Sequence, residues 1–245
     1  MTLHIHPTAD GALHDLAGYF CELAGRATAA RGRFVVALSG GSSPQQLYEL
    51  LASPAYRDLI SWRQVYFFFG DERYVPPTDA ESNYLMARTA LLAPLGILPE
   101  QVFAVNTALP PAEAAQAYTR TLEQFFTGEN ARFDLVLLGL GDDGHTASLF
   151  PHTAVLHDAS RGAKEVFLAE KQVFRITLTA PLLNRARTVA FLVYGAGKAG
   201  AVEQVLEGER NPDHLPAQLI APAGELHWFL DAAAASLLPD SRLPD

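Results

Sequence analysis

Four short, almost wholly apolar segments constrain this chain most, because each runs straight into a turn loaded with polar chemistry. Residues 34–38 lead into Ser39-Gly-Gly-Ser-Ser43, and residues 65–69 lead into Gly70-Asp-Glu-Arg73. Residues 134–138 lead into Gly139-Leu-Gly-Asp-Asp-Gly-His145, and residues 188–193 lead into Gly195-Ala-Gly-Lys198. Strands buried on both faces read as continuous apolar runs, the pattern of a parallel sheet covered by helices. Helical spacing fills the intervals at 9–31, 44–51, 81–93, 111–126 and from about 198 to 207. Residues 165–169, 175–179, 218–220 and 226–230 read as further strands. The pattern predicts an α/β fold: an open, mostly parallel, Rossmann-like sheet flanked by helices. In such a sheet the carboxyl ends of the strands lie along one edge, so loops distant in sequence share a cleft.

Composition narrows the function classes. The chain has 245 residues, 49% of them hydrophobic, enough for one large core. A single α/β domain over 1–235 is expected, with residues 236–245 as a loosely held tail. The net charge is −9 and the 18 basic residues are scattered, which argues against a nucleic-acid surface. The one cysteine, Cys21, excludes an intrachain disulfide framework and falls on the apolar face of the first helical segment, where burial is expected. The opening Met1-Thr-Leu-His-Ile-His-Pro7 lacks a positive start and a long apolar core. No apolar run approaches the ~18 residues of a membrane span. A soluble cytoplasmic protein without nucleic-acid or membrane partners is therefore expected, as a monomer or small homo-oligomer.

The loop at 39–43 precedes a helix, and free N–H groups at a helix N-terminus favour an anion. Gly40 and Gly41 permit close backbone approach, while Ser42 and Ser43 add hydroxyl donors. Ser43 is read as the N-cap, Pro44 as the first helical residue and Gln46 as the capping-box partner. An ordinary strand–helix turn would read similarly, and no Walker pattern is present. Arg175 and Lys198 are candidate counter-charges for an anion held there. Asp71, Glu72 and Arg73 fit either a surface ion-pair cluster or a site.

His145 is the candidate acid–base group, since imidazole titrates near neutrality and Asp142 or Asp143 is close enough to orient it. Gly139, Gly141 and Gly144 also satisfy G-x-G-x-x-G, but Pro151 leaves scarcely two turns for the helix a dinucleotide requires. The two aspartates would also set negative charge against a pyrophosphate. No Cys pair or H-E-x-x-H is present, so no metal is expected.

Taken in order, Ser39-Gly-Gly-Ser-Ser-Pro44, Gly70-Asp-Glu-Arg-Tyr-Val-Pro76, Ser82-Asn83-Tyr84, the segment 139–151, Arg175-Ile-Thr-Leu-Thr179 and Gly197-Lys198-Ala199 resemble the family of 6-phosphogluconolactonases and glucosamine-6-phosphate deaminases and isomerases. The resemblance spans about residues 8 to 232. It implies a parallel α/β sheet with a small extra subregion, no cofactor and a phosphosugar lactone as substrate. The deaminase branch has Asp-Glu-Tyr where this chain has Asp71-Glu72-Arg73, and carries an acid just before the proline that this chain lacks between His145 and Pro151. Those departures favour the lactonase branch over a deaminase or isomerase. The resemblance further implies His145, Arg73 and Asp71 as catalytic residues, with Gly40, Gly41, Ser42, Ser43, Asn83, Asp143, Arg175 and Lys198 binding the substrate.

Overall fold

The computed structural model describes residues 1–127 and 131–242. Among them, nine strands form two sheets. In chain order these strands are β1 (Thr2–His6), β2 (Phe34–Leu38), β3 (Val65–Phe69), β4 (Asp71–Arg73), β5 (Leu135–Leu138), β6 (Ala163–Leu168), β7 (Val173–Leu178), β8 (Thr188–Val193) and β9 (Glu225–Asp231). The helices are α1 (Ala9–Arg31), α2 (Ser42–Ala52), α3 (Asn83–Ala87), α4 (Pro111–Phe126), α5 (Ala180–Leu183) and α6 (Ala199–Leu206). The larger sheet has order β1-β9-β8-β5-β2-β3 and is parallel throughout.

Side chains on successive strand residues point to opposite faces, and here both faces are core. Phe34, Val36 and Leu38 of β2 join Leu16, Phe20 and Tyr48 beneath α1 and α2. Val35 and Ala37 point the other way, to a second cluster that includes Phe133, Tyr118 and Leu122 of the α4 side. This double burial is why the four diagnostic segments carry no polar alternation.

α1 is closed at both ends by its sequence. Thr8 accepts the Gly11 N–H at 3.1 Å, and Gly32 takes φ 72° past the last turn. Cys21 on this helix is only half-buried rather than enclosed, and burial still pushes its thiol up to about 11.

The extra subregion is a three-stranded antiparallel sheet, β4-β7-β6. Gly70 joins the two sheets: its N–H donates to Leu38 O in the large sheet, and its carbonyl accepts the Leu178 N–H of the small one, both at 2.8 Å. Gly70-Asp-Glu-Arg73 is thus the start of a strand rather than a turn. A second correction concerns residues 218–220. Pro216–Leu219 is a tight 3-10 turn, because Pro216 fixes its first residue and the Gln218 side chain braces Asn211 N and main-chain carbonyls instead of entering a ladder. Beyond β9, Leu238 is buried, and Arg242 Nε lies 2.9 Å from Glu207. No helix among the described residues is long and apolar enough to cross a membrane.

Candidate active site

The site forms where β2, β3, β5 and β8 end on one edge of the large sheet. After β2, Gly41 takes φ 106° and serves as N-cap of α2, without a side-chain cap hydrogen bond. Ser43 is therefore not the cap. The left-handed glycine lets the helix begin at Ser42, which puts Ser42 and Ser43 in the first turn and Pro44 third. The N–H groups of a first turn have no intrahelical acceptor, and proline costs nothing there because its missing N–H would be unpaired anyway. The result is a loop whose residues 40–43 line a cleft, beside the unpaired first-turn N–H groups of α2. Gly40 is required by contact, since a Cβ there would sit 1.9 Å from Asn83 Oδ1.

The triplet Asp71-Glu72-Arg73 divides its labour. Glu72 is buried and accepts the N–H groups of Arg73 and Asn83 at 2.7 Å and of Tyr84 at 2.8 Å, which anchors the start of α3. Burial raises its pKa, against the pull of those three donors. Asp71, also buried, receives the Ser148 hydroxyl at 2.6 Å on one oxygen and the Asn83 amide at 3.3 Å on the other. Asn83 donates as well to the Asp71 carbonyl at 3.0 Å. Arg73 sits opposite Arg175 in the β4–β7 ladder. Burial, and then the neighbouring Arg73 charge, hold the Arg175 guanidinium below its ordinary value.

The segment 139–145 is a closed turn. Gly141 N–H donates to His145 O at 2.8 Å and Gly144 N–H to Gly141 O at 3.0 Å, with Gly144 at φ 75°. A Cβ on Gly141 would lie 2.0 Å from His145 Nδ1. The glycines thus make room for the histidine, and the residues that follow fold as turns rather than as the helix a dinucleotide needs. His145 Nδ1 lies 2.5 Å from Asp143 Oδ1, and the Phe150 ring stacks on the imidazole at 4.1 Å between centroids. Partial burial favours the neutral form of Asp143, but the hydrogen bond and charge of His145 outweigh it and leave the carboxyl below its usual range. Asp142 turns away to the Lys198 ammonium, 2.6 Å from Nζ. Lys198 itself follows Gly195, whose φ of 94° and N–H bonds to Asp231 at 3.0 and 3.1 Å set the direction of that loop.

Together these loops enclose a cleft of about 250 Å³. Gly40, Gly41, Ser42, Ser43, Asp71, Arg73, Asn83, His145 and Lys198 all line it. Asp143 and Arg175 do not. Asp143 stands behind His145, and Arg175 beside Arg73. Sequence reasoning missed Ser148, whose hydroxyl holds Asp71 across 77 positions of chain, and Thr146, whose hydroxyl ties the turn to Gly139 O at 2.8 Å. Nothing local marks either serine or threonine as part of a site. Among the described residues, no group of three or more His, Cys, Asp or Glu is placed to hold a metal ion.

Residues 7–228 match the family described as glucosamine-6-phosphate isomerases/6-phosphogluconolactonase. A 6-phosphogluconolactonase from Synechocystis is 44% identical over 87% of this chain and 88% of its own length. The human 6-phosphogluconolactonase is 45% identical over 89% of this chain and 84% of its own. Among solved structures, the 6-phosphogluconolactonase of Trypanosoma brucei superposes with a TM-score of 0.85 at 30% identity, over 97% of this chain and 98% of that one.

Proposed function

The chain belongs to the glucosamine-6-phosphate isomerase/6-phosphogluconolactonase family, and from that membership we propose that it hydrolyses 6-phospho-D-glucono-1,5-lactone to 6-phospho-D-gluconate, a step of the oxidative pentose phosphate pathway. The observation that carries the reading is the Asp143–His145 pair at the wall of a cleft that also holds Arg73, Lys198 and the 40–43 loop. The relatives named above support the lactonase branch, as does the stretch from Thr146 to Pro151, which contains no acid.

The chemistry follows from the residues. A δ-lactone is a reactive ester, so a positioned base and charge stabilisation suffice without a covalent nucleophile or a metal. Asp143 engages Nδ1 of His145 and fixes its ring, which leaves Nε2 to accept a proton from water. The water oxygen bonds to the lactone carbonyl carbon while its proton moves to Nε2. Collapse of the tetrahedral species breaks the bond to the ring oxygen, which takes the proton back from the imidazolium. Arg73 stabilises the negative oxygen of that species, a role of preset charge. Asp71, held by Ser148 and Asn83, faces the sugar hydroxyls.

The phosphate sits against the N–H groups and hydroxyls of Ser42 and Ser43, with Lys198 as its cation. Arg175 adds positive potential from behind Arg73. Ser42 and Ser43 do not sit in a nucleophile elbow. Lactone hydrolysis, corrected for the spontaneous rate, tests the reading. Turnover of the phosphorylated lactone well above that rate is expected. No acceleration, together with ammonia release from glucosamine 6-phosphate, would place the chain with the deaminases instead.

A further inference from the structure

Two buried tyrosines on opposite faces of the large sheet make the same unusual contact. Tyr48, on α2, accepts the Ser39 N–H at 2.9 Å and donates its hydroxyl to the Ser39 carbonyl at 2.8 Å. Tyr118, on α4, accepts the Phe69 N–H at 2.7 Å and donates to the Phe69 carbonyl at 3.2 Å. Ser39 is the first residue past β2, and Phe69 is the last residue of β3. Each phenol therefore takes both main-chain groups of one strand-end residue. Buried main-chain groups require partners, and a hydroxyl offers a donor and an acceptor at once. Both rings are almost fully enclosed, with exposures of 0% and 2%. Burial pushes both phenols far above the ordinary tyrosine value, so the donated proton is retained.

The residues that follow explain why these two strand ends matter. Ser39 opens into Gly40 and Gly41, which have the most conformational freedom to lose and lead directly into Ser42 and Ser43. Phe69 opens into Gly70, the joint between the sheets, and then into the short strand bearing Asp71 and Arg73. A phenylalanine would fill either site equally well in the core. What a phenylalanine would lack is the hydroxyl that ties the ring to both main-chain groups of the strand-end residue.

We propose that Tyr48 and Tyr118 are positioning residues for the two halves of the cleft, Tyr48 setting the phosphate loop and Tyr118 setting the strand that carries Arg73. This inference rests on the lactonase reading. Neither tyrosine touches substrate, and each acts through one main-chain residue.

Steady-state kinetics of Tyr48→Phe and Tyr118→Phe on 6-phosphogluconolactone and on unphosphorylated gluconolactone test it. Tyr48→Phe is expected to raise KM for the phosphorylated lactone about fivefold, the change that follows from one lost hydrogen bond of ordinary strength. It should leave kcat, and hydrolysis of the unphosphorylated lactone, unchanged. Tyr118→Phe is expected to lower kcat on both lactones by a similar factor with KM held. Unchanged constants in both variants, or KM and kcat shifting together in both, overturn the proposal whatever happens to the melting temperature. Should either variant fail to fold, amide exchange in the intact protein decides. The Ser39 and Phe69 amides must be slow before inorganic phosphate is added, and fast exchange at either overturns it. Absence of lactonase activity in the unsubstituted protein would instead remove the functional reading, whereas activity with indifferent variants removes only this inference.

Discussion

The carboxylate of Asp143 holds His145 twice: Oδ1 lies 2.5 Å from the ring Nδ1 and 3.1 Å from the His145 backbone N–H. A two-residue spacing within one turn thus fixes both the main chain and the imidazole plane. The ring nitrogen that remains, Nε2, is the atom to which the proposed mechanism assigns the proton.

Replacing the proposed base should therefore act on turnover. His145→Ala is expected to lower kcat by ~10²–10⁴ with little change in KM. Asp143→Asn should lower kcat by a smaller factor, because the imidazole stays but its orienting charge goes. Single-turnover rates on saturating lactone measure both, and near-normal turnover in His145→Ala removes it from the mechanism.

The same pair gives a pH dependence with a defined sign. Asp143 is depressed in the folded protein, because His145 outweighs the opposing effect of partial burial. Its contribution to stability is thus fully present above the ordinary aspartate pKa of about 3.9 and is lost as pH falls through the lower folded value. Thermal melts of the unsubstituted protein and Asp143→Asn should differ at neutral pH and converge in acid. A gap that widens on acidification contradicts the pairing.

The proposed phosphate site separates two cations that look equivalent in sequence. Lys198→Ala should raise KM for the phosphorylated lactone by about 10–100-fold, the range for a charge-assisted hydrogen bond. Arg175→Ala should raise it less, since Arg175 stands behind Arg73 and outside the cleft wall. If neither variant changes the preference for phosphorylated over unphosphorylated lactone, phosphate is held elsewhere.

Gly141→Ala isolates geometry from chemistry. The added methyl would collide with His145 Nδ1 at 2.0 Å and Asp143 Oδ1 at 2.7 Å. Turnover should fall severely while circular dichroism stays unchanged; full activity would show that the pair tolerates displacement.

Hydrolysis should survive exhaustive chelation, because the proposed route moves protons through His145 and charge through Arg73. Activity lost to a chelator and restored by zinc or magnesium would require a metal in the mechanism.

The large sheet was legible because its strands are apolar on both faces, and the candidate cleft because four such strands run into segments rich in glycine and polar residues. What stayed hidden depends on pairing across long sequence distances. Asp71–Arg73 reads as a turn after β3, yet it ladders with β7, since Gly70 redirects the chain and antiparallel partners at 173–178 accept it. Ser43 has every mark of an N-cap, but the preference is local, and with Gly41 at positive φ as the cap the helix starts two residues earlier, at Ser42. Tyr48 and Tyr118 fall within helical segments and carry no mark of a role in the sequence. Their hydroxyls matter only through strand ends that the sequence does not set beside them.

The edge of the large sheet joins the two extremes of the sequence, with Thr2 beside His227 and His6 beside Asp231. Among the described strands β1 has no other neighbour, so it stays unpartnered until β9 has emerged. The most non-local ladder of the molecule therefore closes last, and such contacts carry the slowest kinetics. In a cell, completion of this sheet would wait for the emergence of β9 rather than of its central strands. Until then β1 would be the strand most in need of protection.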